Sequence, residues 1–321
     1  MKRRLYPSGW LTIAFTTLFV ATPMAIAQNE NQGQGQAIVT VLPKKNSAPP
    51  SDVSQQAVEV SVNGKKTDVS AWQTVGRDHA PVELVLLIDE GARTSLGREL
   101  DDITRFVQSL PPNVKFAIGY MENGRAALAG PLTSDHTQAL RGLHLPMGQP
   151  GESASPYFCL SDLAKRWPSG DREARREVIM ITDGVDYYER RYDPQDPYML
   201  AAIQDSVRAH LVVYSIYWRN AGFADRTEYA NNTGQNLLSQ VTQGTGGNSY
   251  WIGLGNPVSM QPYFEDFSRR LQNQYELGFM VPLRGKAEEE TLRVRVKAPD
   301  TSVTAPQQVW IAPAGAAPAT N

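Results

Sequence analysis

Two acidic residues define the chemistry this sequence could perform. Asp89 closes the apolar run "ELVLLID", and Asp183 follows "REVIMIT" in Thr182-Asp183-Gly184. A near-continuous apolar strand marks one buried on both faces of a parallel sheet. Such sheets meet ligands at the carboxyl ends of their strands. A hard divalent cation wants several oxygen ligands in near-octahedral geometry, and two strand-end carboxylates could begin that shell. A cation site would also want small hydroxyl side chains directly after the first aspartate. The sequence offers "EGART" there, with Gly91 and Arg93 in the hydroxyl places. A guanidinium at that point repels a cation and can pair with Asp89 or Asp183 instead. The plainer reading is that an Asp-Gly at a strand end caps its own turn.

Other chemistries find less support. The four histidines, His79, His136, His144 and His210, do not fall at metal-ligand spacing. No glycine-rich phosphate loop or nucleophile-elbow motif follows a strand. Cys159 is the only cysteine, so no intramolecular disulfide can form, and its apolar setting "PYFCLSDLAKRW" reads as a buried thiol. No catalytic residue and no enzyme activity are therefore expected. A net charge of −2 with 20% charged residues gives no reason to expect a nucleic-acid partner. The segment "YYERRYDPQDPY" is different, because it sets Tyr187, Tyr188, Arg190, Arg191, Tyr192 and Tyr198 just beyond the second aspartate. That composition suits a protein-contact loop as well as an ordinary polar one.

The elements that must position these residues follow from periodicity. Residues 1–27 read as a signal peptide: Lys2, Arg3 and Arg4, an apolar stretch, then Ala25-Ile26-Ala27. A secreted or periplasmic chain without a transmembrane segment after cleavage is the expectation. Residues 28–56, rich in Gln, Asn, Ser and Pro, read as a disordered linker with one short strand at "AIVTVL". Residues 57–80 show a β-hairpin around Asn63-Gly64. Residues 81–274 alternate strand and helix, including a second hairpin at Asn123-Gly124 and a helix that Ser134 could cap. Residues 275–312 return to strands, with "LRVRV" half-exposed and suited to pair with the 57–80 hairpin, and 313–321 form a disordered tail. The predicted fold class is α/β: a doubly wound, mostly parallel sheet with one antiparallel edge hairpin and a small β-rich extension from both flanks.

The order of these features resembles a von Willebrand factor A domain. It runs strand-Asp, helix, hairpin, short helices, "VIMITDGVD", a helix–strand pair, "TQGTGGNSYW" and a final helix before "QNQYELGF". With its flanks the chain also resembles exported proteins of Acidobacteria related to that family. The resemblance implies a metal-ion-dependent adhesion site, built in the family from Asp-x-Ser-x-Ser, a second-loop threonine and a third-loop aspartate. Carried over, Asp89 takes the first position, Gly91 and Arg93 replace the two serines, and Ser155, or alternatively Ser153, takes the threonine place. Asp183 takes the last. The residual metal set is then Asp89, Ser155 and Asp183. No cofactor is expected, magnesium or a similar divalent cation being the one candidate. The implied function is protein binding or scaffolding with a degenerate adhesion site; an envelope-associated hydrolase or an enzyme accessory subunit is the alternative.

Overall fold

The structure, a computed structural model, describes residues 32–44, 53–76, 80–149, 151–189, 193–219, 228–251, 257–283 and 286–313. The expected signal peptide and the contact-loop residues Arg190, Arg191 and Tyr192 lie outside the described residues. No helix among those described is long and apolar enough to cross a membrane.

The strands in chain order are β1 (Gln32–Pro43), β2 (Val58–Val62), β3 (Lys65–Thr67), β4 (Val69–Thr74), β5 (Val82–Asp89), β6 (Val114–Glu122) and β7 (Arg125–Leu128). Then come β8 (Arg175–Thr182), β9 (Leu211–Tyr217), β10 (Ser249–Tyr250), β11 (Gln274–Pro282), β12 (Glu288–Val296), β13 (Thr301–Thr304) and β14 (Gln308–Pro313). The helices are α1 (Leu100–Ser109), α2 (His136–Leu140), α3 (Pro156–Lys165), α4 (Pro197–Arg208), α5 (Glu228–Thr245) and α6 (Gln261–Gln272).

These strands make two sheets, and the larger one overturns the expected fold class. Eight strands form an antiparallel sheet ordered β3-β2-β12-β14-β1-β11-β4, with β13 also paired to β1. The second sheet is mixed and has six strands, β10-β9-β8-β5-β6-β7. The molecule is therefore not a doubly wound, mostly parallel sheet carrying a small extension. The physical reason lies in β1. Its second half is the expected short strand "AIVTVL". Its first half, "QGQGQ", reads as low complexity, yet Gln32, Gln34 and Gln36 face outward while Gly33 and Gly35 are buried. This is the period-two pattern of a strand, hidden because glycine has no apolar side chain. A Cβ on Gly35 would collide with the Phe279 ring and Ile311. Part of the predicted 28–56 linker is thus a strand that pairs with β11 from Gln32↔Pro282 to Thr40↔Gln274.

The short-range signals match the structure locally. Asn63-Gly64 and Asn123-Gly124 all have positive φ and turn the β2–β3 and β6–β7 hairpins. The half-exposed β12 pairs with β2 from Leu292↔Val62 to Val296↔Val58. The cap of α2 differs, since Asp135 rather than Ser134 accepts the Gln138 N–H.

The mixed sheet positions the aspartates. All eight residues of β5 are buried, with parallel neighbours β6 and β8 on its two sides. Leu84, Leu86 and Ile88 pack toward α1 and α6 around Phe106, Phe264 and Phe267. Val85 and Leu87 face the opposite core of Tyr157, Leu160, Met199 and Val241, from α3, α4 and α5. The third core, with Val39, Val60, Leu277, Phe279 and Ile311, belongs to the antiparallel sheet.

Candidate functional site

The carboxyl ends of β5 and β8 bring Asp89 and Asp183 to one edge, but both side chains are fully buried. The parallel register pairs Ile88 with Ile181, so Thr182 lies beside Asp89. Its hydroxyl donates to Asp89 Oδ2 at 2.7 Å, and the Ser153 hydroxyl donates to the same oxygen at 3.4 Å. Asp89 Oδ1 accepts the Gly91 N–H at 2.9 Å. Asp183 Oδ1 accepts the Val185 N–H at 3.0 Å, and its Oδ2 accepts the Tyr187 hydroxyl at 3.0 Å. Each aspartate therefore caps its own loop two residues on, and each also accepts a hydroxyl. Gly184 takes φ +66° where the loop meets α5, and a Cβ there would press into the Gly234 carbonyl and Leu238.

The third residue of the implied metal set behaves differently. Ser155 stands at the head of α3, fully buried, without a side-chain cap bond. Its hydroxyl favours the charged form of Asp186 but makes no hydrogen bond of normal geometry, which leaves Ser155 Oγ and Asp186 Oδ2 unpartnered. Asp186 is only 3% exposed. Burial raises its carboxyl above the usual range, and the Asp196 charge adds to that. The Glu189 and Tyr188 N–H groups, which donate to its Oδ1, oppose it.

This donor set does not suit a hydrated, partner-facing cation. Every oxygen of Asp89 and Asp183 already accepts a hydrogen bond from the protein, and neither carboxylate reaches the surface. Magnesium keeps several waters when bound and would need an opening for them. Among the described residues no group of three or more His, Cys, Asp or Glu side chains is placed to hold a metal.

Arg93 is half-buried at the head of the 3-10 turn Thr94–Glu99. Its charge reaches the Tyr217 phenol, which burial and then the Asp183 charge push up to about 12, Arg219 and Arg93 acting in the other direction. Arg93 and Asp183 thus act on one hydroxyl, which itself donates to Asn231 Oδ1 at 3.0 Å. Cys159 is fully buried, and burial raises its thiol far above the ordinary range, so it offers no thiolate nucleophile.

The aromatic loop divides. Tyr187, named above as a contact candidate, turns its hydroxyl inward to Asp183. Tyr188 remains 66% exposed and packs edge-on against Phe158 at 5.3 Å and Tyr198 at 5.7 Å. Phe158 and Tyr198 close the triad at 4.5 Å. Asp196 caps α4 through the Tyr198 and Met199 N–H groups, which fixes where Tyr198 and the half-exposed Leu200 emerge. The sequence reading missed Thr182, because its role depends on lateral strand register, and Phe158, which sits in a helix far from the loop in sequence. Tyr157 was missed too; its hydroxyl donates to the Gly184 carbonyl at 2.6 Å.

Neither a protein-family model nor a curated protein matches the chain. Among solved structures it is similar to an aerotolerance-related membrane protein from Bacteroides fragilis, at 16% identity and TM-score 0.42, over 59% of this chain and 98% of that one. It is similar to the conserved hypothetical protein BatB from Bacteroides thetaiotaomicron at 19% identity and TM-score 0.37, over 59% and 96%. The pilus adhesin SpaC from Lactobacillus rhamnosus GG matches at 10% identity and TM-score 0.42, over 84% of this chain and 48% of that one.

Proposed function

We propose that the chain is an exported protein-binding or scaffold protein, in which a von Willebrand factor A-like edge has turned its acidic residues inward and presents aromatic side chains instead. The observation that carries this reading is the triad of Tyr188, Phe158 and Tyr198 beside the buried Asp183 loop, with Tyr188 66% exposed. A rigid, partly exposed aromatic cluster is the kind of anchor that dominates protein interfaces. Arg93 and Asp183 both act on the Tyr217 phenol, and on this reading the positive charge of Arg93 stands in for a cation, with no catalysis assigned to this edge.

Crosslinking of the exported chain in its native cells, read by mass spectrometry, tests the proposal. A discrete partner should crosslink to the native protein and fall at least tenfold in the Tyr188→Ala, Tyr198→Ala double variant. Equal yields from both chains would refute the contact surface. Calorimetric titration with magnesium and manganese tests the other half. Saturable micromolar binding lost on Asp183→Asn would overturn the claim that hydrogen bonds and Arg93 have replaced the cation.

A further inference from the structure

A cavity of about 340 Å³ lies between the two sheets at the amino ends of β8 and β9, opposite the aspartate edge. Clefts of about 300–1,000 Å³ are where proteins hold small ligands. One wall is the outer face of the antiparallel sheet. Gln36 and Ile38 share that face of β1, and Ile38 pairs with Glu276 of β11. Gln308 of β14 lies two residues from Trp310, whose ring carries the Arg208 guanidinium of α4 at 4.3 Å from its centre. Gln308 therefore turns toward the same space. The opposite wall includes Trp167, just after α3, and His210, between α4 and β9.

The basic side chains of the lining are mostly committed. Lys165 is held by Asp205 at 2.8 Å, and Arg176 donates to the carbonyls of Ala209, Ser169 and Asp171 at 3.3 Å. The unmet nitrogens of Arg175 have no reachable surface, and exposed Arg172 stands beside exposed Glu173. Gln36, Gln308, His210 and Glu276 are different. Each keeps reachable surface, and among the described residues their side chains form no hydrogen bond or ion pair. His210 stays open although burial, and then the Arg176 charge, lower its imidazole below the ordinary range, as befits a group inside a concavity. Its ring is neutral at neutral pH, so one nitrogen donates and the other accepts. It also takes φ +57° just beyond the end of α4, a place glycine fills most easily.

Two amides and a neutral imidazole offer donors and acceptors together, and the Glu276 carboxylate adds acceptors. That set matches hydroxyl groups, which both donate and accept. It does not match an anion, which could use only the donors and would meet Glu276. We propose that this cavity binds a short neutral saccharide. Its hydroxyls lie on Gln36, Gln308, His210 and Glu276, and the C–H side of its ring rests on Ile38 and Trp167, which also line the space. The site is independent of the aspartate edge and its partner.

Saturation-transfer NMR and isothermal titration of the purified full chain test it, with glucose, N-acetylglucosamine, maltose and cellobiose as probes and benzoate as an anionic control. At least one of the sugars should bind saturably at one site, and benzoate should not. The double variant Gln36→Ala, Gln308→Ala removes both amides from side chains that are not buried, and should raise the Kd at least tenfold. His210→Gly relieves the positive φ, so the chain stays folded, and it should weaken binding severalfold. No saturable binding by any of these sugars, binding of benzoate alone, or an affinity unchanged in both variants would overturn the assignment.

Discussion

Glu177 should make the fold less stable as pH rises from about 4.5 towards neutrality, and a single isosteric change should abolish the effect. Its side chain is fully buried, and burial pushes the carboxyl up to about 7 against the pull of the Arg175 charge and the Gln274 hydrogen bond. The folded value lies above the unfolded one, so the fold favours the protonated form. That contribution is complete below about 4.5 and is lost as pH passes through about 7. Moving a carboxyl from 4.5 to about 7 corresponds to about 3 kcal/mol, a large share of a typical net stability of about 5–15 kcal/mol. Its polar and charged surroundings are Arg175 on its own strand, on which Glu276 of β11 also acts, Gln274 on β11 and Tyr214 on β9. Burial raises the Tyr214 phenol well above the ordinary range, which keeps it neutral throughout. Urea unfolding of the native chain and Glu177→Gln, at intervals from pH 4.5 to 8, isolates this group because the other ionisations are common to both proteins. The stability of the variant relative to the native chain should rise by about 3 kcal/mol across that interval. A difference that stays flat with pH, or moves the other way, would refute the argument.

Two further substitutions probe the aspartate edge and the antiparallel sheet. Thr182→Val removes the 2.7 Å donor to buried Asp89 while keeping the side-chain shape, and should cost about 1.5–3 kcal/mol in urea unfolding. Ser153→Ala, which removes the 3.4 Å donor, should cost less, and the reverse ranking would remove Thr182 as the principal hydroxyl on Asp89. Gly35→Val should cost at least about 1–3 kcal/mol by overpacking, because its side chain would enter the space of Phe279 and Ile311. Gln34→Ala on the exposed face should be near neutral by the same measurement; equal small effects at both positions would mean that 32–43 is not a sheet strand in solution.

What the sequence reveals and what it hides divide along one physical line. Strands buried on both faces announce themselves, which is why "ELVLLID" and "REVIMIT" can be placed as β5 and β8 with a carboxylate at or just past each end. The Asn-Gly turns are equally legible, because their positive φ demands those residue types. Of β1 only the apolar half, "AIVTVL", is legible; the Gln32–Gln36 half is not, since Gly33 and Gly35 serve the core by being small, and hydrophobicity patterns do not register smallness. Without that half the strand reads as a fragment within a linker rather than as the member that joins β14 to β11.

The aspartate edge shows the same division at atomic scale. Residue types place oxygens at Asp89, Ser155 and Asp183, but they do not say which lone pairs remain for a ligand. That depends on donors the alignment of motifs does not include: the Gly91 and Val185 N–H groups and the hydroxyls of Thr182, Ser153 and Tyr187. Backbone donors two residues on come with the turn itself, so they take a place on one oxygen of each carboxylate before any side chain is considered. The hydroxyls take places on the other oxygen. At the amino end of β8 the balance is mixed: Arg175 Nε and Nη2 lack acceptors, and Glu177 Oε2 lacks a donor. Counting satisfied against unsatisfied groups, rather than matching residue types to a motif, is what separates a strand end that caps its own loop from one left open to a ligand.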